Sequence, residues 1–382
     1  MSYQGHFQQA QPPKKKKGKK IALIVLAVLL VLVIAAAIIG IGAYKAVLNK
    51  VTYVTMPTYE ATEPATEATV ANTTEVTAAT TEATTEATTV ETTVPPMKPE
   101  DIINILVVGQ SSRGGEEAAL ADTMILASLN TYTKTLTLTS FLRDTYVDLP
   151  DYRSSGGRLY TCGWNKLTSC YALGYSWDGP GGAMKMMNDC LYNNFGVEVD
   201  YNVEIDFDCF IKLVDILGGV GIEVTQEEAD YLNADTLFVP YGGINAGWVT
   251  LGGSEALSYA RMRKAAGDND SDIKRTARQR KLMDALFNNI RGMNLSQLTR
   301  IVNEILPMIT TNMHPDKITE FLVEVAPMVP NLIFEKGGTC PVQDTYWSSW
   351  EETPDGAMYV LAFDGGQNKK LMRQITEGEG LN

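Results

Sequence analysis

A run of 24 uncharged residues between Lys20 and Lys45 constrains the fold more than any other feature of the chain. The run, IALIVLAVLLVLVIAAAIIGIGAY, covers residues 21–44, and at 1.5 Å per residue a helix of this length spans a hydrocarbon core of about 30 Å. It is too long for the apolar part of a signal peptide. A helix buried in a soluble core is disfavoured because no face of the run is polar. The sequence therefore predicts one transmembrane helix.

The charges that flank this run predict its orientation. The basic tail, residues 1–20, contains KKKKGKK at positions 14–20, and lysine-rich flanks stay in the cytoplasm. We therefore expect a single-pass protein of the cell membrane, with its N-terminus in the cytoplasm. Everything beyond about residue 45 is then expected to lie outside the cell.

The charge of the rest of the chain is strongly negative. Residues 1–50 contain eight lysines and no acidic residue, so the net charge of −13 for the whole chain leaves −21 for the remainder. An acidic extracellular body is a poor partner for a phosphate backbone. The composition therefore argues against nucleic acid as a ligand.

Two further regions follow the apolar run. Residues 51–97 are dominated by Thr, Glu and Ala with a loose TEAT repeat, a composition that cannot bury enough apolar surface to fold. They are predicted to form a disordered linker that holds a domain away from the membrane. Residues 98–382 have no internal repeat and no clear internal boundary, so we expect one extracellular domain there.

The pattern of this domain predicts an α/β fold. A buried strand is expected at 102–108, and a hairpin at 122–130 and 134–142. Helices are expected at 181–196, where Gly196 caps the end, and after Asp206. Further helices are predicted in GSEALSYARM, SDIKRTARQRKLMDALFNNI and KITEFLVEVAPMV. Strands that alternate with helices favour a sheet covered by helices on both faces.

A dense basic segment, YARMRKAAGDNDSDIKRTARQRK at 259–281, stands out in this acidic body. Arg275 and Gln279 are four residues apart and share one face of a predicted helix. Arg261 and Arg263 precede them as a second pair. Arginine suits a phosphate because its planar fork donates two hydrogen bonds and stays charged. The alternative for the segment is a solvated helix face paired with local Asp residues.

A metal and an exported donor complete the chemical hypothesis. No GxxxxGK[ST] loop is present, and ATP is scarce outside the cell, so an extracellular phosphoryl donor must be activated beforehand. A sugar chain on a lipid pyrophosphate meets that requirement. Mg²⁺ accompanies pyrophosphates and favours one or two carboxylates, for which Asp122 at the start of a strand is a candidate. Arg143 closes another strand. The alternatives are a turn cap for Asp122 and a surface ion pair for Arg143.

Cysteine and histidine do not indicate a metal centre of their own. The five cysteines have spacings that resemble no zinc site, and their odd number leaves at least one thiol unpaired even where disulfides are permitted. Only two histidines occur, and one of them, His6, lies in the predicted cytoplasmic tail. A zinc centre or a histidine-based triad is therefore improbable.

Several blocks in order resemble the LytR-CpsA-Psr family of cell-wall polymer ligases. They are NILVVGQSSR, ADTMILASLN, TLTSFLRDTYVDLP, NKLTSCYALG, VDYNVEIDFDCFIKLVDILGGV, LGGSEALSYARMR and DIKRTARQRKLMDAL, which extend from about residue 102 to 291. The resemblance implies a three-layer α/β/α domain whose central mixed sheet and helices enclose an apolar pocket for a polyprenyl chain. It also implies transfer of an anionic glycopolymer, of the teichoic acid or capsule type, from undecaprenyl pyrophosphate to peptidoglycan with Mg²⁺.

The resemblance also assigns roles to individual residues. Asp122 matches the magnesium-binding Asp. The remaining matches are groups that contact the pyrophosphate and carry the reaction, with Lys166 as a binding residue: Arg143, Lys166, Arg261, Arg263, Arg275 and Gln279.

The chain departs from the family pattern at several positions. Ser111 stands where the family has an Asp in the loop after its first strand, and Glu116 or Glu117 could substitute from the same loop. Leu142 replaces the usual Pro, and Thr168 replaces an Asn. Ser111 leaves open a binder of lipid-linked precursors without transfer, and the Thr-rich segment leaves open a stalked structural protein of the cell surface.

Near the C-terminus, CPVQDTYWSSWEETPDG carries Tyr346, Trp347 and Trp350 beside acidic residues. Sugar stacking is one interpretation of these aromatic side chains. An ordinary surface loop is the other.

Overall fold

The computed structural model describes residues 50–57, 101–110, 120–262, 272–291, 300–301, 303–325, 328, 332–335, 337–353 and 356–378. The predicted cytoplasmic tail and the predicted transmembrane helix at 21–44 lie outside these ranges, as do Ser111, Glu116, Glu117 and Arg263. No helix in the described part of the chain combines the length and the apolar character needed to cross a bilayer.

Sixteen strands and seven helices follow one another in the described residues. The strands are β1 Thr52–Tyr53, β2 Ile102–Gln110, β3 Ala121–Asn130, β4 Thr135–Phe141, β5 Tyr146–Asp148, β6 Tyr152–Arg153, β7 Leu159–Tyr160, β8 Trp164–Lys166, β9 Tyr201–Ile205, β10 Val220–Val224, β11 Gly247–Leu251, β12 Thr310–Thr311, β13 Ile333–Glu335, β14 Thr339–Cys340, β15 Tyr346–Thr353 and β16 Gly356–Phe363. The helices are α1 Leu167–Phe195, α2 Phe207–Ile216, α3 Gln226–Ala234, α4 Gly253–Arg261, α5 Asp272–Arg291, α6 Pro315–Val325 and α7 Gly365–Thr376.

The central sheet is mixed. Its described strands run in the order β1-β12-β9-β2-β3-β4-β13, and β14 also pairs with β4. The pairs β2–β3 and β3–β4 are antiparallel, whereas β2–β9 and β4–β13 are parallel. A mixed α/β fold with a central mixed sheet is therefore confirmed.

Alternating side chains give this sheet two apolar faces. Leu106 and Leu126 point to one core, which we call the packed face, and α1 and α7 cover it. Val107 and Ile125 point to the other, which we call the cavity face, and α2, α4 and α5 cover it. Successive residues of a strand point to opposite sides, so neighbouring positions divide between the two cores.

Helix α1 is longer than the predicted helix at 181–196. It starts at Leu167 and bends at Asp178 and Gly179, whose backbone angles are not helical, just before Pro180. Proline ends the regular hydrogen bonding of the preceding turn, and this explains the bend. The predicted C-cap is confirmed: Gly196 has φ 69° and its N–H donates to the carbonyl of Tyr192 at 2.9 Å.

The first residues of the predicted linker differ from expectation. Val51 is buried, and the N–H groups of Thr52 and Val54 donate to the carbonyls of Ile309 and Thr311 at 3.1 and 2.9 Å. Residues 52–53 thereby form β1, a parallel edge strand beside β12. Composition alone misses this pairing because β1 is completed by residues more than 250 positions away. The remainder of the predicted linker, residues 58–97, lies outside the described residues.

The predicted hairpin and its flanking helices occur as expected. Strands β3 and β4 pair antiparallel from Ile125–Ser140 to Asn130–Thr135. Helix α2 begins after Asp206, whose side chain accepts the N–H of Cys209 at 2.8 Å, so the predicted N-cap is confirmed. Across the described residues all five cysteines are free thiols, and four of them are buried.

Candidate functional site

A large cavity opens on the cavity face, between the ends of β2 and β3 and the helices α2 to α5. Its volume is about 710 Å³. Most of its wall is apolar, contributed by Val107, Ile125, Ile205, Phe207, Phe210, Tyr231, Leu237, Phe238, Leu257 and Leu282. A pocket of this size and character suits an extended hydrocarbon chain better than a small polar molecule.

Four of the polar residues at this cavity are site residues predicted from the sequence. Asp122, Arg261, Arg275 and Gln279 all line it. Arg275 is only 3% exposed, and its Nη2 donates to the carbonyl of Asp122 at 3.5 Å. Gln279, one turn further along α5, donates from Nε2 to the carbonyl of Ala260 at 3.4 Å. The four-residue spacing of Arg275 and Gln279 thus directs both side chains to the same opening.

Arg261 approaches the cavity from the end of α4 and is exposed. Its guanidinium carbon lies 4.7 Å from the ring centroid of Phe207 and 5.1 Å from that of Phe238. Such stacking holds the planar group while leaving its N–H donors at the edge available to an anion. Arg263, the second member of the pair, lies outside the described residues.

Arg143 and Lys166 do not line the cavity but join it through acidic side chains. Arg143 forms an ion pair with Asp122, and its Nε lies 3.6 Å from Asp144. Lys166 Nζ lies 2.9 Å from the other oxygen of Asp144. A row of alternating charges therefore runs from the cavity edge at Asp122 to Lys166. An anionic ligand at this row would compete with Asp122 and Asp144 for the two cations.

Arg278 contributes to the site in a way that the sequence did not indicate. It is buried, and its Nη2 donates to the carbonyl of Met262 at 2.6 Å while Nη1 lies 3.9 Å from Glu228. Glu228 also accepts the hydroxyl of Tyr259 at 3.1 Å. Arg278 therefore fixes the chain immediately after Arg261 and acts as a positioning residue. Its place between two cavity-facing positions of α5 was the available signal.

Two further carboxylates at the cavity were not predicted as site residues. Asp235 accepts the hydroxyl of Ser258 at 2.5 Å, and Asp206 caps α2. Both line the cavity. Each has a hydrogen bond within the protein that accounts for its orientation.

Comparison with known proteins identifies the family. The model of the LytR_cpsA_psr family matches residues 67–336, well over half of the chain. The chain belongs to the LytR-CpsA-Psr family.

Relatives within the family carry related names. The polyisoprenyl-teichoic acid–peptidoglycan teichoic acid transferase TagU of Bacillus licheniformis is 30% identical over 202 residues, which cover 52% of this chain and 55% of the relative. The TagU protein of Oceanobacillus iheyensis is 31% identical over 221 residues, covering 57% and 60%. The chain thus matches somewhat more than half of the length of these relatives.

The fold agrees with solved structures of the family. The structure of Bacillus subtilis TagT (YwtF) with a bound octaprenyl pyrophosphate lipid has a TM-score of 0.50 at 20% identity, over 75% of this chain and 95% of that one. At this identity the likeness concerns the fold.

The family departure at Thr168 has a structural explanation. The Thr168 hydroxyl donates to the carbonyl of Ala121 at 2.7 Å, and its N–H donates to the carbonyl of Arg143 at 3.1 Å. Thr168 therefore ties the residue before Asp122 to the residue whose side chain pairs with it. Leu142, at the other departure, is fully buried.

The described residues fit a magnesium ion only in combination with a ligand. They include no group of three His, Cys, Asp or Glu side chains placed to hold a metal. Asp122 offers one carboxylate beside the cationic row, and Mg²⁺ commonly takes one or two protein carboxylates with phosphate oxygens and water. Asp122 and a diphosphate together would supply such a set.

A buried carboxylate lies next to the cavity on the other side of the sheet. Glu204 is 4% exposed, and Gln110, which lines the cavity, donates from Nε2 to Glu204 Oε1 at 2.6 Å. Burial raises the pKa of the Glu204 carboxyl. Burial and the nearby Glu204 charge also raise the pKa of the Tyr171 hydroxyl. Sequence pattern did not mark Glu204, because it lies in an otherwise ordinary strand.

Proposed function

We propose that this protein is a phosphotransferase that moves an anionic glycopolymer, of the teichoic acid or capsule type, from undecaprenyl pyrophosphate to peptidoglycan. The observation that carries the proposal is the apolar cavity of about 710 Å³ with Arg261, Arg275 and Gln279 at its polar side. A polyprenyl chain would fill the apolar part, and its diphosphate would meet the arginines. The names of the TagU relatives and the lipid bound in TagT support this assignment.

Each polar residue has a role in this reaction. Arg275 and Arg261 would bind the diphosphate oxygens and neutralise the charge that develops on the leaving lipid phosphate. Gln279 would orient the same group by hydrogen bonding. Arg143 and Lys166 would bind the phosphate on the side of the sugar, exchanging their present carboxylate partners for it. Arg263 is proposed for the same set from its place in the sequence.

The bond changes are those of a single displacement. A hydroxyl of the peptidoglycan acceptor attacks the phosphorus that bears the sugar, and a new oxygen–phosphorus bond forms. The bond from that phosphorus to the bridging oxygen breaks, and undecaprenyl phosphate leaves with the electron pair. The hydroxyl proton passes to solvent or to the leaving phosphate. Holding both reactants in line supplies much of the rate, since the protein makes no covalent bond.

We also propose Mg²⁺ as the cofactor, held by Asp122 together with diphosphate oxygens. The ion would supply electrostatic stabilisation of the phosphate oxygens during displacement. Before the donor binds, the ion pair with Arg143 would hold the Asp122 carboxylate in place.

The location of the protein is proposed from its sequence. A helix at 21–44 would cross the cell membrane once, with residues 1–20 in the cytoplasm and the domain outside. This topology would place the cavity in the compartment that contains both the exported lipid-linked donor and peptidoglycan.

A second candidate function is binding of the lipid-linked precursor without transfer. Ser111 favours it, because this position carries an Asp in the family pattern. The two functions share the cavity and its arginines. They differ in one outcome, which is whether undecaprenyl phosphate is released.

Replacing Arg275 by Ala should lower transfer by about 10²–10³-fold, as expected when a preorganised charge donor is lost. The full chain is incubated with a polyprenyl-pyrophosphate-linked saccharide, peptidoglycan oligomers and Mg²⁺, and released polyprenyl phosphate is measured. Donor binding is followed in parallel by the rise in melting temperature, with and without Mg²⁺.

The matched control is Arg300→Ala, because Arg300 is exposed and its ion pair within the described residues is with Glu304, one helical turn further along. Arg275→Lys separates loss of the planar fork from loss of charge and from misfolding. Donor binding by the unmodified chain without any release of polyprenyl phosphate would favour the binder. Unchanged transfer by Arg275→Ala would refute the site.

A further inference from the structure

Two tryptophans stand exposed on adjacent β-ribbons beside the charged row. Trp164 lies on the ribbon β5–β8 and Trp347 on the ribbon β15–β16, and each is 57% exposed. Indole rings are costly to leave in water, so exposed aromatic side chains that cluster beside a candidate site indicate a binding surface. The interpretation of this C-terminal segment as an ordinary loop is wrong, because residues 346–353 and 356–363 pair as an antiparallel ribbon.

The first ribbon joins the aromatic side chains to the charged row. Tyr146 pairs directly with Lys166, and Trp164 pairs with Asp148, so all four side chains lie on one face of β5–β8. The ring centroids of Tyr146 and Trp164 are 5.3 Å apart. Lys166 continues from this face to Asp144 at 2.9 Å. A molecule lying on the Tyr146 and Trp164 rings would therefore reach the end of the charged row.

The second ribbon extends the same face. Leu361 of β16 bridges to Thr145, and its N–H donates to the carbonyl of Asp144 at 2.8 Å. Side chains alternate along a strand, so the side chain of Tyr146 lies on the opposite side of this junction from that of Thr145. Trp347 and Glu351 lie on the same side as Tyr146. The Glu351 charge contributes, after burial, to a raised pKa of Tyr146, so the two ribbons are close on this side.

The charge of the second ribbon restricts its partner. Residues 337–368 contain five acidic residues and no Lys or Arg: Asp344, Glu351, Glu352, Asp355 and Asp364. An anionic membrane or an anionic wall polymer would be repelled by this segment. A neutral polysaccharide would not be repelled by it. Its sugar rings present apolar C–H faces to indoles, and its hydroxyl and amide hydrogens can be donated to Glu351 and to the Tyr146 hydroxyl oxygen.

The position of the ribbon also disfavours a membrane as its partner. The sheet strand nearest to the chain that leaves toward residues 21–44 is β1, at one edge of the sheet. The ribbons follow β4, which lies five strand spacings away, about 24 Å. The exposed tryptophans are therefore remote from the edge at which an N-terminal anchor would attach.

We propose that Trp347, Tyr146 and Trp164, together with Glu351, form a docking surface for a neutral glycan strand, and we call it the aromatic surface. Resting on the proposed function, the strand is that of the acceptor, an N-acetylated aminosugar polymer. The surface leads it to Lys166, at the opposite end of the charged row from the cavity. The lipid donor and the sugar acceptor would then approach the row from its two ends.

The test uses the full chain and chitin oligomers, which are neutral chains of N-acetylglucosamine. Titration by tryptophan fluorescence or calorimetry gives the dissociation constant. Trp347→Ala and Trp164→Ala should each raise it by at least about tenfold, as for an exposed aromatic anchor of a binding surface. Binding of a polyprenyl diphosphate should stay unchanged in both variants.

Two tryptophans serve as matched controls. Trp350 lies on the other face of the same ribbon and is 69% exposed, and Trp248 lies on the separate ribbon β10–β11 and is 76% exposed. Their Ala variants should bind glycan within about twofold of the parent chain. An equal loss in all four variants, or no loss at Trp347 and Trp164, overturns the proposal. So does Trp347-dependent sedimentation with anionic phospholipid vesicles in the absence of glycan binding.

The design separates this proposal from the proposed function. If the chain binds glycan through Trp347 but releases no polyprenyl phosphate, the aromatic surface is supported and the transferase function is refuted. If the parent chain and the Trp347→Ala variant transfer polymer equally well at low glycan concentration, the transferase function is supported and the aromatic surface is refuted.

Discussion

The packed face and the cavity face of the central sheet are made by neighbouring residues of the same strands, yet they are used differently. On the packed face one long helix, α1, fills the groove with side chains such as Met186 and Leu191, both of which are fully buried. On the cavity face the shorter helices α2 to α5 leave about 710 Å³ open. A sheet can thus carry its stability on one side and a binding space on the other, because side-chain alternation keeps the two cores separate.

Truncating neighbouring residues of β3 tests most directly whether the two faces differ in packing. Leu126→Ala on the packed face should lower the free energy of unfolding by about 3 kcal/mol, since it leaves a cavity in a filled core. Ile125→Ala, whose side chain lines the existing cavity, should cost at least about 1 kcal/mol less, because fewer contacts are lost. Urea unfolding of the two variants measures both values. Equal costs would mean that the cavity face is filled in solution.

Enlarging small residues tests the same difference in the other direction. Ala260 lines the cavity, so Ala260→Phe should leave the free energy of unfolding nearly unchanged while weakening binding of a long prenyl diphosphate by roughly tenfold. Inorganic diphosphate, which has no chain to accommodate, should bind as before.

Ala183 on the packed face is the matched control for this prediction. It is fully buried against the sheet, and Ala183→Phe should destabilise the fold by about 1–3 kcal/mol through overpacking. If Ala260→Phe were equally destabilising, or if it left long-chain binding unchanged, the cavity would not be the lipid site.

The smallest expected effect concerns Glu204, a carboxylate on the packed side whose pKa is raised above its ordinary value of 4.5. A raised pKa favours the protonated form in the folded state. The stability from this group is therefore fully present below about pH 4.5 and is lost as the pH rises through the folded pKa. Glu204→Gln should melt a few degrees higher than the parent chain at pH 8 and equally at pH 4. A melting difference that does not change with pH would contradict this account.

Sequence reasoning predicted those elements whose pattern is local. The strands β2 to β4 and the helices α2, α4 and α5 were expected from apolar periodicity and from caps such as Asp206 and Gly196. The first half of α1, before Pro180, was not predicted, because only residues 181–196 were assigned to a helix from their apolar spacing. Strand β1 depends on a partner far along the chain and could not be found from composition.

The site followed the same rule. The spacing of Arg275 and Gln279 predicted a shared direction, and both line the cavity. The residues that hold others in place were missed, since Arg278 and Thr168 act through the backbone carbonyls of Met262 and Ala121. Bonds to a carbonyl leave no trace in the identity of the accepting residue. Such bonds become visible only in the folded structure.

The edge strand β1 alters the mechanics of attachment. If the sheet began at residue 102, the whole segment 51–97 would be part of the tether between the domain and the membrane. With Thr52 already hydrogen bonded to β12, seven residues, 45–51, would separate the sheet from the proposed anchor, which ends at residue 44, a reach of at most about 25 Å. A shorter reach confines the domain to a thinner shell above the bilayer and raises the effective concentration of any lipid-borne substrate there. Shortening the Thr-rich segment would leave that reach the same, since the segment departs from the sheet after β1 and returns to it at β2.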